Sequence, residues 1–319
     1  MNAALAAWEG LARAGTTDWE RLRGLAVDVA AGLRRHDEPI VRVQACGVLL
    51  RAGQRECADD LRPAVRDVSL PWNLRLLAAK ELVSSGAPRA TQELSEIASE
   101  AVASDPSSAL TAMSDADPMA AIATFAAALQ GTQNPQTQYQ AAYLLGDAGT
   151  RSKAAAAKAK ETLDGFLAAK PRGPAQTAAV ISLARVGGPD QVTELRQVFG
   201  TLGGYDKLMA AVALAERGDR TAASSIRSIA ATLSEQLQLE AAVRMAPWDR
   251  DAAVAMLSTQ TRSASPVARL AALQTWPHLK AAPPLAVRTA LGDVDPTIRA
   301  AAAVAVTSPF APAGPERRQ

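Results

Sequence analysis

The feature that most constrains this chain is a helical motif that returns about every 30 residues. Each copy begins at a turn residue, has a polar residue three positions on in most cases, and continues into small apolar side chains. The last five intervals between copies are 39, 30, 31, 31 and 30 residues, with copies beginning at Pro39, Trp72, Pro135, Pro174, Gly204, Glu235, Pro266 and Pro296. Such periodicity is typical of proteins in which each unit buries its apolar face only against its neighbours.

Each motif predicts the second helix of a hairpin. Proline suits the first helical position because its missing N–H has no intrahelical partner there, and Gly146, Gly187 and Gly218 supply helix ends. The preceding first helices are predicted at 57–67, 90–103, 119–130, 152–168, 189–200, 219–233, 248–258 and 283–291. A degenerate unit at 105–115 fills the 63-residue gap before Pro135. Short connections make neighbouring helices antiparallel.

These signals predict an all-α fold, a right-handed α-solenoid of about nine antiparallel helical hairpins. The expected organisation is capping helices at 1–35, a repeat array at 36–306 and a disordered Pro-rich tail at 307–319. The chain contains 72 alanines but only 4% aromatic residues, so thin layers of closely approaching helices replace one thick core. We therefore expect local contacts, with the first and last hairpins remote from each other and a long groove exposed.

Residues 295–302, Asp-Pro-Thr-Ile-Arg-Ala-Ala-Ala, and the weaker copy at 37–42, Asp-Glu-Pro-Ile-Val-Arg, resemble the HEAT-repeat family. The similarity is closest to the short HEAT-like repeats of phycobilin lyases. It implies that an Asp before the second helix and an Arg within it form a ladder between repeats. The residues proposed for this structural ladder are Arg42, Arg75, Lys207, Arg269, Asp295 and Arg299. HEAT arrays serve as scaffolds, adaptors, lyase subunits and a few DNA-repair enzymes, so the resemblance indicates the fold and not the activity.

Charge is segregated along the sequence. No Lys or Arg occurs from 90 to 150, whereas Glu93, Glu96, Glu100, Asp115 and Asp117 do, and the following stretch is basic, with Lys153, Lys158 and Lys160. A charge run of this kind is either a solvated helix face or a surface that steers a partner of opposite charge. With a formal net charge of +2, nucleic acid is not an expected partner.

Two tryptophans are further candidates for partner binding. Trp72 and Trp248 each follow a proline at a predicted helix start, where an indole is only partly covered. Tryptophan is enriched at binding hot spots, although capping the end of an Ala-rich layer is the commoner role. The run Trp248-Asp249-Arg250 contains the residue types that HEAT-like DNA glycosylases use, but consecutive residues on a helix point in different directions. Asp249 is instead predicted to cap the helix.

Motifs for catalysis or cofactor binding are not recognisable. The sequence has two histidines and no G-x-S-x-G or H-E-x-x-H motif, and the glycines at 200–204 precede Lys207 without the Gly-Lys-Ser/Thr sequence of a phosphate loop. Cys46 and Cys57 lack zinc-ligand spacing, so no catalytic residue, metal ligand or cofactor is predicted. Two reduced thiols, no run long enough to span a membrane and a charged N-terminal segment lead us to expect a cytoplasmic protein.

The sequence therefore favours a non-enzymatic interaction scaffold or adaptor that binds a protein or peptide on a concave second-helix surface. The alternative is a lyase-like or nucleic-acid-acting HEAT-repeat enzyme or enzyme subunit. A third possibility is one part of a larger regulator. Partner identity and oligomeric state are not encoded in any recognisable motif.

Overall fold

The computed structural model describes residues 19–101, 117–131, 134–279 and 285–308, and over these ranges every regular element is helical. A 3₁₀ turn, Ala290–Gly292, joins the last two helices. The α-helices are α1 Trp19–Leu33, α2 Pro39–Arg51, α3 Cys57–Arg66, α4 Trp72–Ser84, α5 Ala90–Ala101, α6 Pro118–Gly131, α7 Pro135–Gly149, α8 Lys153–Ala168, α9 Pro174–Val186, α10 Pro189–Phe199, α11 Gly204–Glu216, α12 Arg220–Ala231, α13 Glu235–Met245, α14 Arg250–Gln260, α15 Pro266–Leu279, α16 Leu285–Thr289 and α17 Pro296–Thr307.

The all-α repeat fold predicted from the motif is confirmed. All eight second helices begin at the residue that the motif marks, namely α2, α4, α7, α9, α11, α13, α15 and α17. Side-chain caps reinforce several helix starts: Asn134 accepts from the Gln136 N–H at 2.9 Å, and Asp249 accepts from the Ala252 N–H at 3.0 Å as expected. A cap fixes a helix start because it satisfies a backbone donor that has no partner inside the helix.

Two compact units make up the chain. Of the described residues, unit 1 combines those up to 70 with those from 234 onward, and unit 2 contains those between 71 and 233. Within unit 2, α9 packs against both α7 and α11. Helices α7 and α9 are in very close contact at Gly146. A Cβ atom added there would lie 2.7 Å from the Ser182 side chain, which is closer than real Cβ atoms come. Small residues thus set the spacing of α7 and α9, as the composition predicts.

In unit 1 the last helix lies beside the first ones. Helix α17 packs against α15 on one side and against α1 and α2 on the other, and the Thr297 hydroxyl lies 3.3 Å from Glu38 Oε2. The expectation that the first and last hairpins are remote is therefore wrong. The physical reason is the composition of α17, which has apolar side chains nearly all round, including the buried Ile298, Ala301 and Val306. Such a helix needs neighbours on several sides.

Some sequence predictions fall outside the described residues: Asp115, the degenerate unit at 105–115, the helix start at 283, and most of both predicted terminal segments. None of the helices that the structure describes combines the length and the apolar character needed to cross a bilayer.

Candidate partner-binding surface

The predicted acidic surface is smaller in the structure than in the sequence. Glu93 is buried, and Glu100 forms an ion pair with Arg75, whose Nη1 lies 2.8 Å from Glu100 Oε2. Asp117 accepts from the Ala120 N–H at 3.0 Å and thereby caps α6. Glu96 is exposed and accepts from the Gln92 side chain at 2.9 Å, and Asp117 is exposed as well.

The basic helix α8 carries its own counter-charges. Lys158 pairs with Glu161 at 2.9 Å, Lys160 pairs with Asp164 one turn away, and Lys153 is exposed in the first turn. Pairs of this spacing are common on solvated helices and contribute little to stability. Helix α8 therefore presents alternating charges along much of its exposed face.

The two candidate tryptophans differ in exposure. Trp72 is half-buried at the first position of α4, whereas Trp248 is 39% exposed just before Asp249, which caps α14. Trp248 therefore remains a candidate contact residue in unit 1.

Three arginines of the predicted ladder share one geometry. Arg299 Nη1 donates to the carbonyls of Asp293 and Val294, six and five positions before it, at 2.8 and 3.0 Å. Arg269 Nη1 likewise donates to the carbonyls six and five positions before it. Arg42 Nη1 does so as well, at 2.7 and 2.6 Å. Each arginine thus holds the loop that precedes its own helix. In addition to holding its loop, Arg269 links two repeats, since its Nε lies 3.3 Å from Asp293 Oδ2.

The remaining ladder candidates have other contacts. Asp295 accepts from the Thr297 N–H at 2.8 Å and so caps α17. Lys207 places its Nζ 5.8 Å from the centroid of the Phe199 ring, a cation–π contact. Their part in a ladder between repeats stays a prediction.

Unit 2 contains an ion-pair network that the sequence analysis missed. Arg185, whose side chain is 4% exposed, contacts Asp147 through Nη1 and Glu216 through Nε at 2.7 Å. The network joins α7, α9 and α11 near their C-terminal ends. A signal for it exists in the sequence, because Asp147, Arg185 and Glu216 each lie two positions after a leucine near the end of a second helix.

A second missed feature is a cluster formed between α7 and α11, the two outer helices of the same three. The hydroxyls of Tyr139 and Tyr143 both donate to Asp206 Oδ1, at 2.7 and 2.8 Å. The Tyr139 and Tyr143 rings meet edge to face at 5.0 Å between centroids, and Tyr143 and Tyr205 do so at 5.8 Å. We call these four residues the tyrosine–aspartate cluster. Sequence signals for it are the i, i+4 spacing of Tyr139 and Tyr143, which places both on one helix face, and the Tyr205-Asp206 pair in the first turn of α11.

The cluster is built across a middle helix. Helix α9 contacts α7 and α11, so the tyrosine–aspartate hydrogen bonds join helices two positions apart in the stack. Small side chains at the start of α9, including buried Ala175 and Ala178, leave room for this approach. Asp206 also lies at a helix N-terminus, where backbone N–H groups favour a negative charge.

Exposure and ionisation differ within the cluster. Tyr143 is buried, whereas Tyr139, Tyr205 and Asp206 are half-buried and reach the surface. Burial, together with the charges of Tyr139 and Asp206, raises the pKa of Tyr143 above its ordinary value. The Tyr143 hydroxyl therefore stays protonated and continues to donate to the carboxylate.

The structure also brings together the two cysteines, whose spacing along the chain predicts no metal site. The thiols of Cys46 and Cys57 and a carboxylate oxygen of Asp60 lie within 4.8 Å of one another. We expected no metal site at these cysteines because of their spacing along the chain, which does not show how close they lie in the fold. Packing of α2 on α3 supplies the proximity, and the Cys57–Asp60 spacing of i, i+3 was the available signal.

An open groove of about 630 Å³ lies in unit 1, beside α15 and α16. Thr261, Arg262, Arg269 and Asp293 contribute its polar lining, and Arg269 is engaged with loop carbonyls. Among the described residues that line it there is neither a histidine nor a cysteine.

Comparison with known proteins supports the repeat fold. Residues 27–114 match the family model of HEAT repeats. No curated protein matches the sequence. Among solved structures, human deoxyhypusine hydroxylase in complex with glycerol is similar at 18% identity and a TM-score of 0.39, covering 81% of this chain and 96% of that chain. A likeness at this level carries no statement about activity.

Proposed function

We propose that this chain, which carries HEAT repeats at residues 27–114, is a non-enzymatic scaffold. It would bind a protein or peptide on its second helices. Repeat arrays suit this role because each unit adds a few contacts at regular spacing. The observation that carries the proposal is the tyrosine–aspartate cluster, which brings aromatic groups of α7 together with an acidic group in the first turn of α11.

The cluster fits a cationic side chain. Tyrosine faces attract Lys and Arg, and a contact of this kind contributes about 0.5–2 kcal/mol depending on burial. Asp206 adds a carboxylate that two hydroxyls hold in place, so little ordering is needed on binding. The absence of Lys and Arg from 90 to 150 in the sequence supports the same choice of partner, because Tyr139 and Tyr143 lie in this stretch. We therefore propose a partner segment that places a Lys or Arg at this cluster.

A peptide selection tests the proposal. A display library of random peptides is selected on the immobilised protein, and we expect enriched peptides to carry Lys or Arg beside apolar residues. Asp206→Asn should then weaken binding of an enriched peptide about tenfold, the size of one lost charged contact. Asp190→Asn is the matched control, because Asp190 lies exposed in the first turn of α10 in the same unit.

Two outcomes would count against the scaffold. Failure to enrich any peptide, together with turnover of a small molecule by the protein, would favour the lyase-like alternative. A mobility shift with duplex DNA or RNA that disappears steeply as salt rises would indicate phosphate contacts and favour action on nucleic acid.

A further inference from the structure

Outside the tyrosine–aspartate cluster, the arrangement that offers the most definite chemistry is the group Cys46, Cys57 and Asp60 in unit 1. Cys46 lies in α2, Cys57 is the first residue of α3, and Asp60 lies one turn further along α3. Both cysteines are buried, at 1% and 0% exposure, while Asp60 is exposed. Two thiols therefore face each other in the hairpin, and a carboxylate forms the side that is open to solvent.

We propose that Cys46, Cys57 and Asp60 form a binding site for a thiophilic divalent cation, with Zn²⁺ as the physiological class. The three ligand atoms lie within 4.8 Å of one another, and Cys46 Sγ is 3.9 Å from Asp60 Oδ2. In a tetrahedral zinc site, Zn–S bonds of about 2.3 Å place sulfur atoms about 3.8 Å apart. Side-chain movements of about 1 Å thus suffice to close the site around an ion.

The donor set selects the metal. Two thiolates and one carboxylate suit Zn²⁺ and similar ions, whereas Mg²⁺ and Ca²⁺ prefer all-oxygen sites. A fourth position remains for water on the exposed side, next to Asp60.

Arg34 completes the site electrostatically. Its Nε donates to Asp60 Oδ2 at 2.7 Å, and its Nη1 lies 3.8 Å from Glu56 Oε1. Carboxylates that bind metals are commonly held by such an outer hydrogen bond, which orients them. Two thiolates and one carboxylate carry one more negative charge than a divalent ion neutralises, and the Arg34 guanidinium lies where it offsets part of that excess.

An ordinary thiol is protonated at neutral pH, whereas a metal ion binds the thiolate. Binding forms two metal–sulfur bonds and releases the two thiol protons to solvent. Proton release is thus a second readout of the same event.

The test is titration of the reduced full chain with Co²⁺, which reports thiolate ligands by a charge-transfer absorption, followed by displacement with Zn²⁺. We expect one Co²⁺ per chain, loss of the absorption in Cys46→Ala and Cys57→Ala, and about tenfold weaker binding in Asp60→Asn and Arg34→Gln. Asp59→Asn is the matched control, because Asp59 is the exposed neighbour of Asp60 on α3 and lies outside the cluster. It should bind as the unchanged chain does.

A measurement on the unchanged chain covers the case in which a cysteine variant fails to fold. Zn²⁺ should slow the reaction of both thiols with a chromogenic disulfide reagent and raise the melting temperature, as a ligand of the native state does. The proposal is overturned if the reduced chain gives no Co²⁺–thiolate absorption and Zn²⁺ leaves thiol reactivity unchanged. Rapid joining of the two thiols by a diamide oxidant, with no metal binding beforehand, would instead identify a redox-active pair.

Discussion

In unit 2, Arg185 joins three second helices through Asp147 and Glu216, whereas in unit 1 Arg269 and Arg299 hold the carbonyls of the loops before their own helices. The difference follows from position along the helix. Arg269 and Arg299, each at the third position after a helix start, lie beside their own loops. Arg185 is near a helix end and lies beside the ends of the neighbouring helices. Similar repeats thus use the same residue type to fix either a loop or the stacking of helices.

The largest effect that separates these two roles is expected from Arg185→Ala. The substitution leaves two carboxylates without their shared, nearly buried cation, so we expect the free energy of unfolding of the chain to fall by about 3 kcal/mol. Chemical denaturation followed by circular dichroism measures this loss. A loss below about 1 kcal/mol would mean that the network does not stabilise the stack.

Arg299→Ala tests the loop clamp of unit 1. Two charge-assisted hydrogen bonds to backbone carbonyls are lost, and we expect the free energy of unfolding to fall by about 1.5 kcal/mol. Because Arg299 is assigned a structural role, the substitution should change the free energy of binding a selected peptide less than the free energy of unfolding. An unchanged melting temperature combined with lost peptide binding would contradict the assignment.

Asp219→Ala tests a helix cap whose contribution to the free energy of unfolding depends on pH. Asp219 accepts from the N–H groups of Thr221 and Ala222, at 3.1 Å each, and caps α12, so its removal should cost about 1 kcal/mol. The hydrogen bond from the Ala222 N–H, and then that from Arg196, lowers the pKa of Asp219 below its ordinary value. A lowered folded-state pKa gives stability that is present above the unfolded-state pKa, near about 4, and that is lost as the pH falls toward the folded-state value.

The pH dependence supplies the check for this cap. Denaturation curves at several pH values below about 5 should show a shallower decrease for Asp219→Asn than for the unchanged chain, because asparagine caps the helix but does not titrate. Parallel decreases would show that Asp219 makes no difference to acid stability.

The smallest effect is expected from Arg196→Ala, which sharpens the comparison with Arg185. Both arginines pair with a carboxylate near another helix of unit 2, but the Arg196 side chain is 50% exposed and its pair with Asp219 is 3.1 Å long. We expect a loss of at most about 0.5 kcal/mol, measured in the same denaturation assay. Equal losses for Arg185 and Arg196 would show that burial does not decide the contribution of these pairs.

The helix boundaries could be predicted from the sequence because their signals are local. Proline at a first helical position, as at Pro174, and an acidic cap, as at Asp249, act on residues within one turn. The motif period alone therefore located all eight second helices of the described ranges.

Contacts between repeats could not be predicted in the same way. The hydrogen bonds from Tyr139 and Tyr143 to Asp206 depend on how far α7, α9 and α11 are offset along their axes, and no local signal encodes that offset. The approach of Cys46 to Cys57 depends likewise on the rotation of α2 against α3. The packing of α17 on α2 depends on residues far apart in the sequence.

The central claim is that the tyrosine–aspartate cluster receives a cationic side chain of the partner. A double-mutant cycle tests it directly: the affinity of a selected peptide and of its Lys→Ala or Arg→Ala form is measured by calorimetry against the unchanged chain and against Asp206→Asn. We predict a coupling energy of about 1 kcal/mol or more between Asp206 and one basic peptide residue. Additive effects at every basic position of the peptide would contradict the claim.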